Sequence, residues 1–347
     1  MAAIAAAAMP VEARLRALLE SEHARWRGVE PAFGELVAVL ADFVLGGGKR
    51  LRPAFCHWTH VGAGGDPGDP VAVDAGAALE LLHAFALLHD DVMDGSSTRR
   101  GQPAVHAAVA DHHAASGWGG ESRRFGEGVA ILAGDLAFTW ADELLLAAPM
   151  PARQVFTELR VELDMGQYLD LVGAARRDSS AARARVVCRY KSGKYTIERP
   201  LHLGAALAGR RDELAGPLSA VGLPLGDAFQ LVDDLLGVFG SAAATGKPVG
   251  DDLREGKPTM LHALAVDRAN GAAATTLAAD YGRADLDEAG VARLQDVLTG
   301  CGAVAEIERM VGALTAEAGM AIDALPFDDG PRAALHELAT YIAERDR

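Results

Sequence analysis

The chain has 347 residues, with 33 Lys plus Arg against 48 Asp plus Glu and a formal charge of −15, a balance that opposes nonspecific binding to nucleic acid or to an anionic bilayer. Half of the residues are hydrophobic but only 5% are aromatic. An apolar content carried by Ala, Leu and Val disfavours a β-sandwich and predicts an all-α chain, as one large helical domain or two smaller ones.

The opening "MAAIAAAAMP" is apolar but too short to span a bilayer, and it lacks the basic stretch of a signal peptide. Residues 1–10 are therefore expected to form a flexible tail and residues 11–347 a single all-α domain. Gly and Pro clusters punctuate the chain at "LGGGKRLRP", "VGAGGDPGDP", "GWGGESRRFGEG", "AAPMPAR", "AGPLSAVGLPLG" and "TGKPVGDDLREGKP". Between them, helices are predicted over 71–93, 129–148, 154–172, 181–208 and 225–239, and the C-terminal third continues the helical spacing. No alternating strand pattern competes, no linker marks a second domain, and no segment is expected to cross a membrane. Cys56, Cys188 and Cys301 are too few and too far apart for a disulfide framework or a zinc site, which points to a reducing cytoplasm.

The helix over 71–93 ends in "HDDVMD". Asp90 and Asp94 are four residues apart and share a face, while Asp91 is turned about 100° away. Like charges at that spacing repel, and a hard divalent cation with oxygen ligands, Mg2+ above all, reverses the sign of the interaction. A solvated acidic helix end is the alternative for one such motif. A second pair, Asp233 and Asp234, sits in "AFQLVDDLLGVFG", a run apolar enough to be buried, where unpartnered carboxylates are costly. Two such pairs point to a metal-dependent site.

Mg2+ is held through a few carboxylates plus substrate phosphates, and each acidic pair has cations nearby. "GGGKRLRP" offers Lys49, Arg50 and Arg52 behind three glycines, and "STRRGQP" places Arg99 and Arg100 just past Asp94. "RYKSGKYT" supplies Lys191, Ser192 and Lys194, and "TGKPVGDDLREGKPT" supplies Lys247 and Lys257. His83 lies seven residues before Asp90 on nearly the same helical face, where it is either a core histidine or a hydrogen-bond donor to a bound anion. Asp251 and Asp252 read as loop caps.

Taken in order, "GGGKRLRP", "LLHAFALLHDDVMD", "RRG", "GDLAF", "YKSGKYT", "FQLVDDLLG" and "GKPVGDDLREGKPT" resemble the motifs of the trans-isoprenyl diphosphate synthases, or polyprenyl synthetases. The resemblance implies an all-α bundle around a central cavity (the isoprenoid synthase fold), Mg2+ dependence with three ions per active site, and a homodimer. It implies that Asp90 and Asp94, supported by Asp91, hold Mg2+ on an allylic diphosphate, and that Asp233 and Asp234 hold another. Arg99, Lys191, Ser192, Lys247 and Lys257 would contact that diphosphate. Lys49, Arg52, His83 and Arg100 would hold isopentenyl diphosphate, with Gln230 beside the reacting carbons. Gly237 departs from the pattern, standing where the family often has a third aspartate.

The implied activity is head-to-tail condensation of isopentenyl diphosphate with allylic diphosphates to a linear trans-prenyl diphosphate. The resemblance ties product length to residues just before the first motif, here Phe85 and Ala86. One aromatic with a small neighbour, and no two-residue insertion in the motif, resembles the geranylgeranyl type; farnesyl and longer products are the alternatives, and Phe85 as a plain core residue is another. A class I terpene cyclase needs an Asn, Ser/Thr and Glu motif, but Asn270 is the only Asn and position 274 is Ala. A noncatalytic regulatory subunit would show eroded acidic and basic motifs, and here they persist.

Overall fold

The computed structural model describes residues 2–176, 180–241 and 249–345. It is 81% helical, as the composition predicts, with a single two-stranded hairpin among the described residues. Contacts group the chain into two compact units, Met1–Arg153 with Leu203–Arg211, and Gln154–His202 with Asp212–Arg347.

The first unit contains α1 (Ala2–Val29), α2 (Pro31–Leu45), α3 (Leu51–Gly62), α4 (Pro70–Asp94), the hairpin strands β1 (Thr98–Arg99) and β2 (Gln102–Pro103), α5 (Val105–Ala115) and α6 (Ser122–Leu144). The opening residues are not a tail: α1 begins at Ala2, buries Ala3 and Ala7, and presents the Ala3 carbonyl to the Trp58 indole N–H at 2.9 Å. Small apolar side chains pack here without needing the length of a membrane span.

α4 starts cleanly because the Asp69 carboxylate accepts from the Val71 N–H at 2.9 Å and Pro70 fills the first turn. Its Ala/Leu run buries Leu79, Leu81, Leu82 and Leu88. α6 comes close against it through Ala133, Gly134 and Ala137; a side chain at Gly134 would overlap the His89 ring. Among the described residues α4 alone is long and apolar enough to cross a membrane, and 61% of its apolar window is buried.

The second unit contains α7 (Met150–Arg176), α8 (Ala181–Val187), a π-helix π1 (Cys188–Glu198), α9 (Arg199–Leu207), whose last turns belong to the first unit, and α10 (Arg211–Phe239). Then follow α11 (Asp251–Glu255), α12 (Met260–Arg268), α13 (Gly271–Asp280), α14 (Glu288–Gly300), α15 (Ala303–Asp323) and α16 (Asp329–Glu344).

Two local expectations are corrected in this unit. The segment 181–208 is not one α-helix, because its middle is wound as π1. The cluster "AGPLSAVGLPLG" does not break the chain, because α10 runs through Pro217 and Pro224. Tertiary packing explains both. Gly193 of π1 and Gly226 of α10 meet backbone to backbone, and Gly222 of α10 lies on the Glu198 backbone. That close approach outweighs the hydrogen bonds the prolines remove.

Candidate active site

In the first unit, Gly95 ends α4 with a left-handed φ of 65° and its N–H donates to the Asp91 carbonyl. The chain then turns through the hairpin, whose central residues Arg100 and Gly101 have φ of 52° and 73°. Positive φ at both positions suits a tight two-residue turn, and a non-glycine residue held there carries local strain. The hairpin returns Arg99 to the helix end: its Nε and Nη2 donate to Asp91 Oδ1 at 2.9 and 2.5 Å, and Nη2 reaches Asp90 Oδ2 at 3.4 Å.

Asp91 is only 1% exposed, turned inward to hold Arg99. Asp91 thereby aims the Arg99 guanidinium at the end of α4. Burial disfavours the Arg99 charge, but Asp91, Asp90 and Asp94 raise its pKa on balance. Asp90 is partly exposed and Asp94 exposed, one helical turn apart on the same face.

The glycine-rich loop behaves similarly. Arg50 takes a left-handed φ of 49° at the start of α3 and turns inward, where Nη1 meets Glu80 at 2.5 Å and Nη2 donates to the Val44 carbonyl at 2.8 Å. It is a structural cation, unlike its exposed neighbour Lys49 and the half-buried Arg52. Arg100 donates to the Gly47 carbonyl at 2.8 Å, which ties the hairpin to that loop. His83 lies among these cations: burial, and then Arg52, Arg100, Arg99 and Arg50, hold its pKa well below 6.5. The structure therefore gathers His83, Arg52, Arg99 and Arg100 in one place. Phe85, one turn before His89, packs its ring 4.8 Å from Phe138 of α6 and 4.6 Å from His89; Ala86 beside it is half-buried.

In the second unit, α10 repeats the division of labour. Asp234 is 3% exposed, accepting from Gln230 Nε2 at 2.9 Å and from the Met260 N–H at 3.3 Å. Burial, together with the Asp233 and Asp252 charges, pushes its carboxyl up to about 7 despite those donors. Asp233 is the outward member, 59% exposed at its side chain. Asp234, like Asp91, is the buried, hydrogen-bonded member of its pair. Gln230, bonded to it, lines a cavity of about 340 Å³ with Leu231, Met260 and Cys188.

Asp252 is no loop cap. It is buried and pairs with Lys257 Nζ at 3.1 Å, and together with Glu255 it raises the lysine pKa, although burial opposes the charge. The Tyr281 hydroxyl donates to the Lys257 carbonyl at 2.6 Å, holding this segment against α13. Gly237 has a physical reason here: a side chain at that position would overlap the Asp252 carboxylate. The third aspartate that the motif often carries has no room while Asp252 is in place.

On π1, Lys191 Nζ reaches Asp170 at 2.7 Å and Lys194 Nζ reaches Glu162 at 2.7 Å, with Ser192 half-buried between them. A π turn moves side chains off the α-helical register and recurs at functional sites. Lys247 lies outside the described residues.

Asp90 and Asp94 in the first unit, and Asp233 in the second, carry carboxylate oxygens of the kind that suit Mg2+, and among the described residues no three metal-binding side chains form a cage of their own. Mg2+ binds in that manner, through one or two carboxylates with phosphates and water completing the octahedron. Sequence reasoning missed Glu80, the one carboxylate on the buried stretch of α4, whose isolation in an apolar run was a readable signal. It also missed Arg345, for which the sequence offered none.

The polyprenyl synthetase family model matches residues 34–298. The fold superimposes on a geranylgeranyl pyrophosphate synthase from Corynebacterium glutamicum, solved with isoprenyl diphosphate and magnesium, with a TM-score of 0.91 and 39% identity over 96% of this chain and 97% of that one. A (2E,6E)-farnesyl diphosphate synthase of Mycobacterium tuberculosis is 34% identical over 86% of this chain and 80% of its own length. A geranylgeranyl diphosphate synthase of the same organism is 36% identical over 67% of this chain and 63% of its own length. With both carboxylate pairs and their cations built on this helical frame, the chain belongs to the polyprenyl synthetase family and is a trans-prenyl diphosphate synthase, a prenyltransferase.

Proposed function

We propose that the protein condenses isopentenyl diphosphate with allylic diphosphates and releases geranylgeranyl diphosphate. The observation that carries this reading is the graded burial within each acidic motif: Asp91 and Asp234 are buried, Asp90 is half-buried, and Asp94 and Asp233 are exposed. Carboxylates held that way are arranged for cations that arrive with a substrate.

Asp90, Asp94 and Asp233 hold Mg2+, three ions per active site. The metal supplies charge neutralisation for the departing diphosphate. Arg99, aimed by Asp91, acts on the same leaving group with Lys191, Ser192, Lys247 and Lys257. Lys49, Arg52, Arg100 and His83 hold the diphosphate of isopentenyl diphosphate. His83, with its pKa depressed by burial and four arginines, serves as a neutral donor and adds no further charge. When the allylic C–O bond breaks, its electron pair leaves with diphosphate. The isopentenyl double bond then forms the new C–C bond at the allylic cation, and the proton lost from the adduct passes to diphosphate. No protein nucleophile is required.

Phe85, braced by Phe138, sets the floor that a growing chain meets, with Ala86 leaving space beside it. The geranylgeranyl assignment draws support from the similarity to synthases of that product; the similarity to a farnesyl diphosphate synthase makes that the competing product. The chain, with α1 included, acts as one catalytic domain, the protein works as a homodimer, and it resides in the cytoplasm.

Exchanging Asp90 or Asp233 for Asn tests the site. Either variant is expected to fold normally and to lose about 10²–10³ in kcat, measured as incorporation of labelled isopentenyl diphosphate. Full activity in both would remove the carboxylates from the mechanism.

A further inference from the structure

Asp233 is not alone on its face of α10. Arg345, the residue that caps α16, lies across that helix and is only 7% exposed, which is unusual for an arginine. Its guanidinium carbon sits 3.9 Å above the Phe229 ring, and Nη2 donates to the Phe229 carbonyl at 2.9 Å and to Asp233 Oδ1 at 3.2 Å. Its Nε is buried without a hydrogen-bond partner among the described residues. Stacking, carbonyl and carboxylate together fix a planar cation at one oxygen of the outward aspartate.

We propose that Arg345 is a built-in counter-ion that occupies Asp233 in the metal-free protein and must yield that oxygen when Mg2+ binds. This rests on the reading of Asp233 as a Mg2+ ligand. Two cations compete for one carboxylate: Mg2+ needs the oxygen at about 2.0–2.1 Å in near-octahedral geometry, and a guanidinium already bonded to it repels the ion. Arg345 thereby keeps the carboxylate paired before substrate arrives and raises the metal concentration needed to load the site. It is a positioning residue, acting through Asp233.

The test measures Mn2+ binding to the full chain by electron paramagnetic resonance, in the presence of the unreactive thiolodiphosphate analogue of dimethylallyl diphosphate, alongside melting temperature in EDTA. Arg345→Met is expected to melt lower in EDTA yet bind Mn2+ at least about fivefold tighter. Arg345→Lys, which keeps the charge but loses the planar stack, falls between. Adding Asp233→Asn to Arg345→Met removes the gain. Equal Mn2+ affinity in Arg345→Met and the parent overturns the proposal, and weaker affinity does so by making Arg345 a diphosphate ligand. If Asp233→Asn alone binds Mn2+ as the parent does, the metal-ligand reading of Asp233 fails instead; Arg345→Met then shifts only the melting temperature.

Discussion

Phe85 and Phe138 meet ring against ring, and His89 closes the contact from the next turn of α4. Under the proposed floor role, Phe85→Ala removes the bulky ring at this point, so the dominant product is expected to lengthen by at least one isoprene unit. Chromatography of the dephosphorylated alcohols reads that shift, and an unchanged product would make Phe85 a core residue only. The shared face of Asp90 and Asp94 was legible in the sequence because four residues make about one helical turn. The inward roles of Asp91 and Asp234 were not. Helical spacing places Gln230 next to Asp234, but Arg99 and the Met260 N–H are brought in by a hairpin turn and by another helix, and spacing along one helix carries no information about either. Arg50 misled for the same reason: its guanidinium is buried against Glu80, a partner on another helix.

α4, α12, α14, α15 and α16 lie where the apolar pattern places them; α4 is buried all round from Ala75 to Leu82. The departures cluster where glycines let backbones touch. π1 and the unbroken α10 are two sides of one contact, Gly193 against Gly226, and hydrophobic spacing is blind to a contact made by residues with no side chain. Gly226→Ala would drive a methyl group into the Gly193 backbone, so it is expected to cost about 1–3 kcal/mol and to displace Lys191 and Ser192 on π1. Urea denaturation measures the first effect and KM for the allylic diphosphate the second. A variant with parental stability and KM would mean that π1 does not depend on this contact.

Across the molecule, burial sets the acid response. His262 is stacked on Tyr281 at 3.7 Å and held by burial at about 4, against 6.5 for a free imidazole. The unfolded chain takes up a proton that the folded one refuses, so this group's contribution is complete above pH 6.5 and is lost as pH falls toward about 4. Asp234 works in the opposite sense. Its carboxyl, raised from 3.8 to about 7, costs stability as pH rises through that range in the metal-free protein. The informative quantity is therefore a difference: His262→Gln should lose less stability than the parent between pH 6.5 and 5, by chemical denaturation in EDTA. Parallel curves would show that His262 titrates normally.

The most direct test of the whole account is mass spectrometry of the products formed by the purified full chain with Mg2+, isopentenyl diphosphate and, separately, dimethylallyl, geranyl or farnesyl diphosphate. The expected result is a geranylgeranyl end point from each starter, lost when EDTA replaces Mg2+. A failure to condense any starter would contradict the catalytic reading of the two carboxylate pairs.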